Sequence, residues 1–204
     1  MSNFSRVVLA SGNAGKLSEF SAILGAAGMT MVAQGDLGVP EADEPFSTFV
    51  ENALAKARHA SAGTGLPALA DDSGLCVDSL GGAPGVFSAR YAALAGGEKS
   101  DSANNLRLVG DLAGRADRSA RYVAVLVYLQ SPDDPCPIIA EGMLSGEIID
   151  VPRGVHGFGY DPHFYLPSLG RTVAELDPAE KNRISHRALA LDTLMRAIRT
   201  RFAP

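Results

Sequence analysis

Cysteine is scarce: Cys76 and Cys136 are the only two in 204 residues. They stand far apart, at no spacing used by metal ligands or redox dithiols, so buried inert thiols in a reducing compartment are expected. A basic excess is missing as well. Eighteen Lys and Arg face 23 Asp and Glu, a formal charge of −5 that offers no general field for a nucleic-acid backbone. No nucleic-acid partner is expected, and any anionic ligand has to be held locally. Long apolar runs are absent too. Residues 7–10 follow a single basic residue, Arg6, and are too brief for a signal-peptide core or a membrane span. A cytoplasmic protein with no membrane partner is expected. No internal repeat and no low-complexity segment is present, which removes solenoids, propellers and extensive disorder. What remains, at 46% hydrophobic and 20% charged, is an ordinary globular composition. The length can bury a sizeable core, and a single domain over residues 1–204 is expected.

The chain is organised around Leu69-Ala70-Asp71-Asp72-Ser73-Gly74-Leu75. The apolar run 66–70 suits a buried strand, expected to end in two carboxylates and a hydroxyl before Gly74 turns the backbone. Carboxylates at a strand end are hard oxygen donors of the kind Mg²⁺ takes, with water and substrate phosphates completing its shell. Asp, Ser and Gly are also ordinary turn residues. The following Gly81-Gly82-Ala83-Pro84-Gly85 and Ser88-Ala89-Arg90-Tyr91 favour a functional reading, since such permissive backbone serves close approach.

Earlier in the chain, the strand-like Val7-Val8-Leu9-Ala10 leads into Ser11-Gly12-Asn13-Ala14-Gly15-Lys16. A helix with Leu17, Phe20, Leu24 and Ala27 on one face is expected next. Strand, glycine turn, lysine and helix make a phosphate-binding arrangement, because unpaired N–H groups and an ammonium point the same way. It is not a Walker loop: Ala10 stands where that pattern needs Gly, and Leu17 where it needs Ser or Thr. Residues 33–44 read as a loop whose acids, Glu41, Asp43 and Glu44, are either solvated or brought near Asp72.

Thr48-Phe49-Val50-Glu51 is a capping box, opening a helix expected to run to about Ala62. Asn52, Lys56 and His59 form a polar stripe on it, facing either solvent or a phosphate. A third helix, capped by Ser100 or Asp101, is expected to bury Leu106, Val109 and Leu112. Residues 121–130 read as a central strand buried on both faces, with 138–143 returning antiparallel beside it and 146–151 as another extended stretch. The sheet is therefore mixed. In 153–162 the Rossmann pattern fails at Pro162, but an aromatic-bearing glycine loop can still stack on a base. Asp177-Pro178-Ala179-Glu180 starts a helix, and a break near Ser185 is expected because Lys181 and the pair His186 and Arg187 cannot share one straight face. Cations in a first turn oppose the helix macrodipole and suggest an anion nearby.

Taken in order, these motifs resemble the inosine/xanthosine triphosphate pyrophosphatases, which hydrolyse deaminated purine nucleoside triphosphates to the monophosphate and pyrophosphate. The resemblance spans nearly the whole chain and rests on the Ser11–Lys16 turn, Thr48 to Ala53, Ala70 to Leu75, the 82–91 stretch, Gly157-Phe158-Gly159-Tyr160-Asp161-Pro162, and Glu180-Lys181 with Ile184-Ser185-His186-Arg187. It implies an α/β fold of two lobes about an elongated mixed sheet flanked by helices, an active-site cleft between the lobes, a homodimer, and Mg²⁺-dependent hydrolysis of the α–β phosphoanhydride of ITP, dITP and XTP. Carried over by position, Asp72 is the catalytic acceptor and a metal residue, with Glu44 its metal partner. Ser11, Gly12, Asn13, Ala14, Gly15, Lys16 and Ser73 hold phosphates, Lys16 also offsetting charge in the transition state. Phe158, Gly159, Tyr160, Asp161, Lys181, His186 and Arg187 hold the nucleoside, and Asn52 and Lys56 join the phosphates. A kinase using the Lys16 loop and a nucleotide sensor without turnover are the competing readings.

Overall fold

The structure is a computed structural model that describes residues 6–11, 17, 20–21, 24–25 and 28–202. In chain order its strands and α-helices are β1 (Val7–Leu9), β2 (Met31–Ala33), α1 (Phe49–Thr64), β3 (Ala68–Val77), α2 (Asp101–Asp111), β4 (Ser119–Leu129), β5 (Ile138–Ile148), β6 (Phe164–Leu166), β7 (Arg171–Thr172), α3 (Pro178–Ile184) and α4 (His186–Phe202). Among the described residues the seven strands are ordered β2-β1-β3-β4-β5-β6-β7, which puts β4 in the centre. β1 pairs in parallel with β2 and β3, whereas β6 pairs antiparallel with β5 and β7, so the sheet is mixed as the sequence indicates.

The chain forms two compact units: residues 1–72, 124–141 and 190–204, and residues 73–123 and 142–189. In the first, the core gathers Val7 and Leu9 of β1, Phe20, Leu24, Leu69 of β3, Leu126 and Tyr128 of β4, and the α4 stripe Leu191, Leu194, Met195 and Ile198. Leu17, Phe20, Ser21, Leu24 and Gly25 have helical backbone, and Phe20 and Leu24 are buried as their spacing requires. In the second, Leu75 and Val77 of β3 meet Leu108 of α2 and Leu112 just after it, Tyr122 of β4, Ile148 of β5, and Phe164 and Leu166 of β6.

Helix signals carried by local chemistry are realised. Thr48 caps α1 by accepting from Glu51 N–H, and its hydroxyl donates to the Glu51 carboxylate at 2.5 Å. Asp177 caps α3 by accepting from Glu180 N–H at 2.7 Å. Ser185 ends α3 in an extended conformation and, by accepting from Ala188 N–H, caps α4.

Several expectations are corrected. β3 does not end at Asp71 and Asp72 but runs through them and Gly74 to Val77, because strand pairing overrides local turn chemistry. β1 pairs with β3 only at Ala68 and Leu69; further along, Leu75 N–H donates to Ser88 Oγ and Val77 N–H to Ala83 O. α1 passes Ala62 and Gly63 to Thr64, and Gly65 at φ 68° stops it. Gly63 lies inside the helix because Val39 packs so closely that a Cβ there would come within 2.8 Å of it. Of the expected stripe, Leu112 is buried just past the end of α2, Val109 is half-buried and Leu106 is 77% exposed, since α2 turns Asn104 and Leu108 inward. The two extended stretches expected at 138–143 and 146–151 are one strand, β5. Cys136 is exposed, not buried, and Cys76 is half-buried.

Candidate active site

In the first unit, β3 and α1 bring the sequence's central acids and its polar stripe together. Side chains alternate across a strand, so Asp71 and Asp72 project to opposite faces of β3. Asp72 is the one that meets α1: Lys56 Nζ donates to its Oδ1 at 3.0 Å, and Asn52 Nδ2 to its Oδ2 at 3.4 Å. Asp71 contributes its main-chain carbonyl, which accepts from Lys56 Nζ at 2.8 Å. The third acceptor on that ammonium is Glu44 Oε1, at 2.9 Å. Asn52 is fully buried, and it also fixes the incoming chain by donating to Phe46 O and accepting from Phe46 N–H. Glu44, in the acidic loop, is thus joined to Asp72 through Lys56. His59, the outer member of the stripe, is exposed and shares a ring nitrogen with Pro40 O at 2.9 Å.

Burial shapes the electrostatics here. It raises the Asp72 carboxyl above the ordinary carboxylate range, and the Lys56 ammonium offsets this only in part. For Lys56, burial works against the charge, but Asp72 and Glu44 outweigh it and hold the amine above its usual value. The group therefore combines a fixed cation with a carboxylate of enhanced proton affinity.

Ser11 is half-buried just past β1, and its N–H donates to Leu9 O at 2.9 Å. Gly12, Asn13, Ala14, Gly15 and Lys16 lie outside the described residues.

The second unit holds the aromatic glycine loop. Phe158 is 62% exposed, whereas Tyr160 and Asp161 are buried. Asp161 is the hub: its Oδ2 accepts from Phe158 N–H at 3.0 Å and from Lys181 Nζ at 2.5 Å, and its Oδ1 accepts from Tyr122 OH at 3.1 Å. Lys181 Nζ also lies 4.6 Å from the centre of the Phe158 ring, a cation–π distance. Lys181 lies in the last turn of α3, not in a first turn, so the helix dipole favours its charge there, and its anionic partner within this chain is Asp161. A Cβ on Gly157 would overlap the Asp161 carboxylate, so glycine is required there. His186 stacks on Tyr122, ring centres 4.9 Å apart and planes 14° from parallel. Arg187 is buried and reaches Ser73 Oγ at 3.5 Å.

Tyr122 was not signalled by the sequence, where it is one apolar residue in a run of them. Burial and the Asp161 charge keep its phenol protonated, so it remains a donor. Ser88, in a stretch the sequence marks for its permissive backbone, contributes its carbonyl, which accepts from Tyr160 OH at 2.7 Å.

A sequence profile of the Ham1 family matches residues 7–197. The chain belongs to the Ham1 family. It is similar to a Ralstonia nicotianae protein named dITP/XTP pyrophosphatase, with 67% identity over 95% of this chain and 96% of that one. A Bordetella pertussis protein of the same name is 64% identical over 97% of this chain and 92% of its own. Among solved structures, a HAM1 protein from Coxiella burnetii superposes with a TM-score of 0.90 at 48% identity, covering 95% of this chain and 98% of that chain. The Staphylococcus aureus Ham1 protein gives 0.87 at 38% identity, covering 96% and 99%.

The donors in this Ham1-family chain suit a hard cation. Around Lys56 stand two carboxylates and a carbonyl, all oxygen, while no group of three His, Cys, Asp or Glu side chains converges among the described residues. That set fits Mg²⁺, which binds through one or two carboxylates and takes its other ligands from water and phosphate. It does not fit a structural zinc site, which needs four closed ligands.

Proposed function

We propose that the protein is a pyrophosphatase that hydrolyses ITP, dITP and XTP to the nucleoside monophosphate and pyrophosphate. The observation that carries the reading is the buried group Asp72, Asn52, Lys56 and Glu44, in a chain whose relatives are named dITP/XTP pyrophosphatases. A nucleotide sensor without turnover has no use for these carboxylates beyond binding, and in that reading Asp72→Asn would leave ligand affinity largely intact. The kinase reading lacks the hydroxyl of a Walker loop at Leu17.

In this reading, water attacks the α-phosphorus, and its bond to the oxygen bridging to the β-phosphorus breaks. Asp72, its carboxylate held by Lys56 and Asn52, takes the proton from the attacking water. Lys56 holds the Asp72 carboxylate in place and keeps Glu44 beside it. Asn52 fixes the second Asp72 oxygen. Bound by Asp72 and Glu44, Mg²⁺ would supply electrophilic stabilisation of charge on the phosphates. Ser11 to Lys16 and Ser73 are assigned to the phosphates, the 12–16 stretch on its motif alone. Phe158 to Asp161, Lys181, His186 and Arg187 are assigned to the nucleoside, where an exposed phenyl ring suits base stacking. The family match over residues 7–197 takes in both compact units, which supports a single functional domain. A cytoplasmic homodimer completes the reading. Among the described residues no helix is long and apolar enough to cross a membrane.

The test is product analysis after incubation with ITP and Mg²⁺ in ¹⁸O-labelled water. Pyrophosphate and labelled IMP are expected. Label in pyrophosphate would place attack on the β-phosphorus, and release of inorganic phosphate with IDP would overturn the assignment.

A further inference from the structure

The glycine loop is gripped from outside by two residues that nothing above assigns. Asp101 and Asn105 stand one turn apart on α2, so both project from the same face of the helix. Asp101 Oδ2 accepts from Gly159 N–H at 2.7 Å, and Asn105 Nδ2 donates to Gly159 O at 2.8 Å. Both main-chain polar groups of one residue are thereby held by one helix. Gly159 sits at φ 60°, a conformation that side-chain-bearing residues rarely adopt. Its neighbours are the exposed Phe158 and the buried Tyr160, so whatever fixes Gly159 fixes the angle at which the Phe158 ring and its adjoining N–H groups are presented.

The Asn105 amide shows which contact dominates. A carbonyl can only accept, so Nδ2 must face Gly159 O. That orientation leaves Asn105 Oδ1 buried without a hydrogen-bond partner among the described residues. An orphaned buried acceptor is unfavourable, and it is tolerated here in exchange for the contact with Gly159.

We infer that Asp101 and Asn105 are positioning residues that set base selectivity through Gly159 without touching the nucleotide. The inference rests on the assignment of Phe158 to Asp161 to the nucleoside. Asp101 also lies in the first turn of α2, where a negative charge stabilises the helix in its own right. Asp101→Asn separates the two roles, because it loses the charge but keeps an acceptor for Gly159 N–H.

The experiment compares wild type, Asp101→Ala, Asn105→Ala and Asp101→Asn by steady-state kinetics on ITP and ATP, by melting temperature, and by amide hydrogen exchange over 157–161 in the free protein. The two alanine variants should exchange faster at this loop and raise KM for ITP roughly tenfold, the order that one lost hydrogen bond to a charged or buried group supports. Their kcat on ITP and their kcat/KM on ATP should change little, so the preference for ITP shrinks. Asp101→Asn should restore both exchange and selectivity. Equal proportional losses on ITP and ATP, or failure of Asp101→Asn to restore selectivity, would overturn the inference. Faster exchange with unchanged selectivity would overturn it too, while leaving the functional reading intact. A wild-type protein that does not hydrolyse ITP defeats the functional reading itself.

Discussion

Lys56 Nζ lies 3.0 Å from Asp72 Oδ1, and the two side chains are only 11% and 10% exposed. Their bond joins α1 to β3, two elements whose sequence signals point elsewhere: a polar stripe that ordinarily meets solvent, and an acid pair that ordinarily makes a turn. Buried ions of this kind add little net stability as a pair, because desolvation consumes most of the Coulombic gain. Losing one partner is a different matter, and the two single substitutions should diverge sharply.

Lys56→Met leaves Asp72 and Glu44 close together without their shared cation. Breaking a buried pair from one side costs about 3–5 kcal/mol, so a large fall in the urea midpoint is expected. A midpoint within experimental error of wild type would show that water already solvates both carboxylates.

Asp72→Asn should do the reverse. The amide keeps the shape, its oxygen still accepts from Lys56 at the cost of the 3.4 Å bond from Asn52, and the Lys56–Glu44 contact at 2.9 Å stays in place. It cannot take a proton from water, and it loses the charge that a cation requires. Hydrolysis of ITP is expected to vanish while circular dichroism and melting remain close to wild type. Substantial turnover in the folded variant would remove Asp72 from the chemistry.

The legible parts of the sequence are those where a residue acts on its own neighbours. Thr48 with Glu51, Asp177 with Glu180, and Ser185 with Ala188 each satisfy helix-end groups a few positions away, so spacing alone locates them. Where long-range contacts decide, local chemistry misleads. Asp71-Asp72-Ser73-Gly74 has turn composition, yet strand pairing keeps it extended. In α2, Leu106 fits an apolar stripe as well as Leu108 does. The helix instead turns Asn104 inward, where it accepts from Ala92 N–H at 2.8 Å and donates to Ala89 O at 3.4 Å, and this rotates Leu106 out. Tyr122 and Asp161 are likewise separated by a stretch of chain that no sequence spacing connects. Glu44 and Lys56 were each marked as candidates, but only the fold joins them.

The β4–β5 connection carries a pH prediction. Asp134 is buried in its turn, with Oδ2 accepting from Gln130 N–H at 3.0 Å and Oδ1 from Cys136 N–H at 2.9 Å. Burial alone would raise its pKa, but these N–H groups and Arg201 outweigh burial and lower it below the ordinary carboxylate value. A carboxyl whose folded pKa is depressed contributes stability above its unfolded pKa of about 4 and loses it as pH falls through the folded value. Asp134→Asn should therefore lower the melting temperature most near neutral pH, and the gap to wild type should close below about pH 4. A gap that stays constant from neutral to acidic pH would mean that the turn is held by shape and not by charge.

The final prediction concerns Gly157. At φ 80° a Cβ there would overlap Asp161 Oδ2 and come within 3.2 Å of Lys181 Nζ. The neighbours cannot yield cheaply, since Asp161 is committed to Phe158 N–H, Tyr122 OH and Lys181 at once. Gly157→Ala must therefore either push the carboxylate off these three donors or move the loop that carries Phe158. Both routes disturb the groups assigned to the nucleoside, while neither alters a contact made by Asp72, Lys56 or Glu44. KM for ITP should rise by tenfold or more, roughly the loss of one buried charge-assisted hydrogen bond, with a smaller effect on kcat. Strain at a positive φ adds a stability loss on the order of 1 kcal/mol or more. Steady-state kinetics beside a urea titration separates the two effects. A stability loss with KM unchanged would show that Gly157 and Asp161 serve the fold of this loop alone and take no part in holding the nucleoside.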